Sequence, residues 1–228
     1  MEKKEIIKIH KWLFVFLVAY FLIGIPTKYF VDVSYWFYMV WNVFLASLSV
    51  VFCLWFRFFS GKNQRKFEII FAVLWVLFFP NAPYVITDLL HLRSAAGCYD
   101  VPNLLPYKCL IDWYILFYTF IGSFIGAICT LSSLHNMHCF ALKEKKKYAR
   151  YLPIIMCLLG GIGVYIGRFV RLNSWDVFNP PKFFKMFADR GFSLFSLEFI
   201  GITTVTLLIL YVIYYFLLKH KIIAFNKE

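Results

Sequence analysis

The sequence predicts an all-α fold: a polytopic transmembrane helical bundle of about six spans, with the third span broken at Pro80/Pro83. Three observations carry that expectation. Apolar residues form 62% of the 228-residue chain and aromatic residues 22%, more apolar surface than a soluble domain of this size can hide. Charged residues are only 16% of the chain and gather between the apolar stretches, because a charge in hydrocarbon is expensive. Two prolines three residues apart interrupt one of those stretches.

A helix needs about 20 apolar residues to cross a bilayer. That length places spans near 12–31, 35–58, 67–86, 112–134, 151–170 and 194–218, in one integral membrane domain covering residues 1–228. The basic start followed by Trp12 to Ile25 has the order of a secretory signal, but Gly24, Ile25, Pro26 and Thr27 offer no small-residue cleavage site. The segment therefore reads as an uncleaved first span, weakened by Pro26 and Lys28. The second span, 35–58, is predominantly apolar. The fourth opens on Asp112, the fifth ends in a glycine-rich stretch, and the sixth holds Glu198 about one turn inside.

Sixteen of the 24 basic residues fall at the termini and in the loops after the second and fourth spans. The positive-inside rule puts that side in the cytoplasm, with both termini. The net charge of +12 does not indicate nucleic acid, since no segment is long and polar enough to carry a basic stripe. The expected partner is the lipid bilayer. Among the six cysteines, Cys98 and Cys109 share one expected external loop and could pair there. His135, His138 and Cys139 fall in an expected cytoplasmic loop without a fourth good metal ligand.

The polar residues within the apolar stretches mark the candidate site. At the break, Asn81 suits an N-cap and Pro83 a first turn, so a second short helix is expected to run to about Leu92. On it Tyr84, Asp88 and His91 stand at i, i+4 and i+7 with Thr87 beside them. The fifth span closes with Gly163, Gly167, Arg168, Arg171, Asn173 and Asp176; the two arginines, at i and i+3, suit phosphate or carboxylate. The pairs Gly122 with Gly126 and Gly163 with Gly167 indicate close helix packing. The segment Pro180 to Arg190 alternates aromatic and basic residues and reads either as an interfacial helix or as an ordinary loop. Asp88, His91 and Glu198 are the acid–base candidates, and Asn81, Tyr84, Arg168, Arg171, Asn173 and Asp176 the binding candidates. Asp88 and His91 lie on one turn without a third ligand of known proximity, so no metal is assigned, and no nucleotide, haem or iron–sulfur motif assigns a cofactor.

The run Pro80-Asn81-Ala82-Pro83-Tyr84-Val85-Ile86-Thr87-Asp88-Leu89-Leu90-His91, with the downstream run from Gly167 to Asp176, resembles the bacterial membrane family called domain of unknown function 1361. The resemblance covers most of the chain from the second span onward. It implies that the two motifs belong together and brings no activity with it. Three readings stay open. One is an outer-leaflet pocket that binds or processes an anionic, phosphate-bearing and lipid-linked substrate in envelope assembly. The second is a proton-coupled transporter or lipid translocase. The third is a non-catalytic scaffold or accessory subunit whose polar cluster is structural.

Overall fold

The computed structural model describes residues 3–26, 33–91, 110–172 and 193–225, together with Asn179, Pro181 and Lys185. The helices are α1 (Lys3–Ile23), α2 (Val33–Gly61), α3 (Arg65–Phe78), α4 (Asn81–Tyr84), α5 (Leu110–Lys143), α6 (Leu152–Tyr165) and α7 (Leu194–Phe225). A 3-10 segment, Val85–His91, continues α4, and a π-type turn, Ile166–Val170, continues α6. Among the described residues there is no strand.

Five stretches are long and apolar enough to cross a membrane: Tyr35–Gly61, Arg65–Leu90, Leu110–Lys143, Ala149–Val170 and Leu194–Leu218. They match the expected second to sixth spans. The first helix differs. Its apolar part, Lys11–Ile23, is shorter, and a turn at Gly24 ends the regular helix before the expected limit of the span. Lys3, Lys4, Lys8 and Lys11 charge its first half, which leaves only the second half apolar.

The centre of the bundle is α2, which packs on α1, α3, α4 and α5, while α6 packs on α4 and α7. Tyr20, Met39, Val43, Ala82, Val85 and Tyr118 fill one half of the core. Cys53, Phe56, Trp75, Phe79, Leu134 and Leu207 fill the other. Large apolar residues such as Ile202, Val205, Ile209 and Phe216 of α7 remain exposed, as helix faces turned to lipid do.

The break in the third span occurs where expected, by a different local chemistry. Pro80 is the N-cap, and Asn81 is the first helical residue. Instead of capping, the Asn81 side-chain amide donates to the Phe78 carbonyl at 3.1 Å. After Tyr84 the chain tightens into a 3-10 segment, so of the expected second helix only Asn81–Tyr84 is α-helical and Val85–His91 is 3-10. Glycine lets other spans close on this irregular backbone. At Gly126 of α5 a Cβ would stand 2.8 Å from the Ala82 carbonyl oxygen, a clash no side chain tolerates.

Candidate functional site

Asp88 of the broken span is fully buried, which makes its carboxylate the costliest group in this half of the bundle to leave unpaired. Three side chains donate to it. The Arg168 guanidinium donates to Oδ1 at 2.7 Å, and the Tyr38 hydroxyl donates to the same oxygen at 3.1 Å. The Asn42 amide donates to Oδ2 at 2.9 Å. Both carboxylate oxygens thus have donors, from α2 on one side and the π-type turn on the other.

Arg168 is held as tightly as the acid. Its side chain is 11% exposed, its Nη2 and Nε donate to the Thr87 hydroxyl at 2.5 and 3.2 Å, and its Nη1 approaches the Tyr38 hydroxyl at 3.4 Å. The guanidinium carbon lies 4.5 Å from the centre of the Tyr84 ring, a cation–π contact. The Tyr84 and Tyr38 hydroxyls meet at 2.8 Å, and Thr87 donates back to the Tyr84 carbonyl at 2.6 Å. One network therefore ties the second, third and fifth spans together through side chains.

The π-type turn explains how the fifth span presents its two arginines. Its wider loop ends at Arg171, which takes a left-handed backbone conformation (φ 63°), and the Arg171 amide closes the turn on the Ile166 carbonyl. Arg168 and Arg171 do not share one face. Arg168 is turned inward onto Asp88, whereas Arg171 is exposed. A left-handed arginine costs backbone energy that glycine would avoid, and such outliers gather at functional positions.

Glu198 is exposed on the first turns of α7, whose Phe195 and Phe199 rings lie 5.1 and 5.0 Å from Phe169, next to Arg168. It makes none of the hydrogen bonds to the Asp88–Arg168 pair. The side chain of His91, and Asn173 and Asp176 altogether, lie outside the described residues, as do Cys98, Cys109 and most of the Pro180 to Arg190 segment. Asp112 opens α5 with both carboxylate oxygens buried and without a hydrogen-bond partner among the described residues.

Tyr38 and Asn42 are the participants that reading the motifs overlooked. Their signal was available: they stand one turn apart on an otherwise apolar span, hence on one face. His135, His138 and Cys139 are a correction of another kind. They lie within α5, which continues to Lys143, and not in a loop. His138 pairs with the Tyr211 hydroxyl at 2.6 Å, and the Cys139 sulfur lies 3.4 Å from His135 Nε2. No group of three or more His, Cys, Asp or Glu residues able to hold a metal occurs among the described residues.

An all-helical bundle with several apolar spans, tied together by a buried carboxylate–guanidinium pair at a helix break, defines a multi-pass membrane protein. The chain belongs to the family described as "Protein of unknown function (DUF1361)", whose model matches residues 41–216. That match includes Asn42, the Pro80–His91 run and the Arg168–Asp176 run, and leaves out α1. No curated protein and no solved structure matches the chain.

Proposed function

We propose that the Asp88–Arg168 pair is the floor of an outer-leaflet site for an anionic, phosphate-bearing and lipid-linked substrate that is bound or processed during envelope assembly. The observation that carries this reading is the contrast between the two arginines. Arg168 is fixed by Asp88, Thr87 and Tyr84, while Arg171, three residues on, is exposed and held in a backbone conformation that favours glycine. With Arg168 committed to the bundle, the exposed Arg171 guanidinium three residues on is the group that offers an oxyanion charge-assisted hydrogen bonds.

The saturated hydrogen bonding of Asp88 gives it a positioning role in this proposal, with His91, one turn on, as the acid–base candidate. Asn81 and Tyr84 of the broken span, and Asn173 and Asp176 after Arg171, are the further binding candidates. Glu198, exposed on the neighbouring helix, is a second acid–base candidate. The same saturation also suits a second reading, in which the pair is a structural latch of a non-catalytic membrane protein.

Binding separates the two readings. The purified protein in detergent is titrated with a polyprenyl monophosphate and with the matching polyprenol, following tryptophan fluorescence. The substrate reading expects selective binding of the phosphate, weakened about tenfold or more in Arg171→Gln, the share of one charge-assisted hydrogen bond. Equal binding of phosphate and alcohol, or an indifferent Arg171→Gln, leaves the latch.

A further inference from the structure

The end of the bundle far from Asp88 is built from two tight turns side by side. The α2–α3 turn and the start of α3 expose Lys62, Arg65 and Lys66, and the end of α5 with the segment before α6 exposes Lys143, Lys145, Lys146, Lys147 and Arg150. They adjoin because the ends of α2 and α5 pack: Arg57 donates to the Asn136 side chain at 3.0 Å, and the Phe56 and Phe140 rings lie 5.1 Å apart. The acids within these two turns and their flanking helix ends are Glu68 and Glu144, and Glu68 already pairs with Arg65 at 3.5 Å.

Both turns close by the same device. Gln64 donates to the Phe59 carbonyl and Lys146 to the Ala141 carbonyl, each spanning a residue with a left-handed backbone, Asn63 (φ 56°) and Lys145 (φ 51°). Glycine is the usual occupant of such a position, and asparagine is a common substitute. Lysine is neither. An exposed lysine in that conformation is a strained backbone that adds one more cation to the patch. Aromatic residues complete the surface: the Lys62 ammonium sits 4.4 Å from the Phe58 ring, the Arg150 guanidinium 5.5 Å from the Tyr151 ring, and Tyr148 and Tyr151 are half exposed. Aromatic rings with cations above them are how helix ends meet the headgroup layer.

We propose that this end of the protein is a binding surface for anionic phospholipid headgroups, with Lys145 held in its strained turn for that contact. Phosphodiester groups lie at the depth where these turns leave the bilayer, and clustered Lys and Arg attract them additively within a Debye length. The site is separate from the Asp88–Arg168 network. On α2 alone, Asn42 and Gly61 are about 28 Å apart along the helix axis.

The test titrates the full-length protein in detergent with phosphatidylglycerol and with phosphatidylcholine, and counts retained lipid by native mass spectrometry. The native protein should retain phosphatidylglycerol preferentially, and the preference should fall about fivefold for each cation removed from the α5–α6 turn. Gly201→Ala, at an open position of α7, should leave it unchanged. Lys145→Gly guards against unfolding, since it relieves the turn: the preference should fall while thermal stability holds or rises. Equal retention of the two lipids overturns the proposal. So does a preference that survives replacement of Lys143, Lys145, Lys146 and Lys147 by Gln.

Discussion

Gly163 lies so close to the ring of Pro80 that a methyl group at position 163 would overlap the ring carbons. The break in the third span is therefore seated against the fifth span by the absence of a side chain. Four residues on, Gly167 leaves similar room for the Tyr84 ring, 3.1 Å from where its Cβ would stand. The two glycines at i and i+4 receive Pro80 and Tyr84, the residues at the two ends of α4.

Gly163→Ala should accordingly destabilise the protein by about 1–3 kcal/mol, the usual cost of overpacking, seen as a lower melting temperature in detergent. Gly201→Ala is the matched control. Open space surrounds that position, so the substitution should be neutral or stabilising by up to about 1 kcal/mol. Equal melting of Gly163→Ala and the native protein would show that the Pro80 contact is not tight in solution.

Asp88→Asn and Arg168→Gln should each cost about 3–5 kcal/mol, because each strands a buried charge. The double variant strands neither. A double-mutant cycle should therefore show strong coupling, with the double variant more stable than the sum of the single losses predicts. Additive losses would mean that the pair does not form in the folded protein.

Asn42→Leu should cost more than Tyr38→Phe. Asn42 is the donor to Oδ2 of Asp88, whereas Oδ1 keeps Arg168 when the Tyr38 hydroxyl is lost. Leaving one buried carboxylate oxygen unpaired costs about 1–3 kcal/mol, and losing one of two donors about 1 kcal/mol. Chemical denaturation of the two variants gives the order directly.

Arg171→Gly separates stability from function. Relief of the left-handed arginine should raise stability by about 1 kcal/mol, while binding of a phosphate-bearing lipid should fall about tenfold or more. A variant that is more stable and binds as before would remove Arg171 from the site.

Hydropathy made the long spans legible because each long helix is apolar on nearly all sides, and the prolines marked the break. The motifs also pointed to Asp88 and Arg168, two ionisable residues that lipid would not tolerate apart. What escaped was set by tertiary contact. The 3-10 segment and the π-type turn have no signature in composition, and they redirect Arg168 away from Arg171. Scanning for apolar stretches of membrane-spanning length ended the fourth span near residue 134, yet the helix continues through His135 and Cys139, because no breaker follows before the left-handed Lys145.

The length of α5 carries a mechanical consequence. Its 34 residues extend about 51 Å, against a hydrocarbon core of about 30 Å. Even at a tilt of about 40°, the steep end of the observed range, the helix reaches about 39 Å along the membrane normal. At least about 9 Å of it must then stand clear of the acyl chains. α5 therefore works as a strut that lifts its polar end into the headgroup zone, and a thicker bilayer would draw more of that strut under cover.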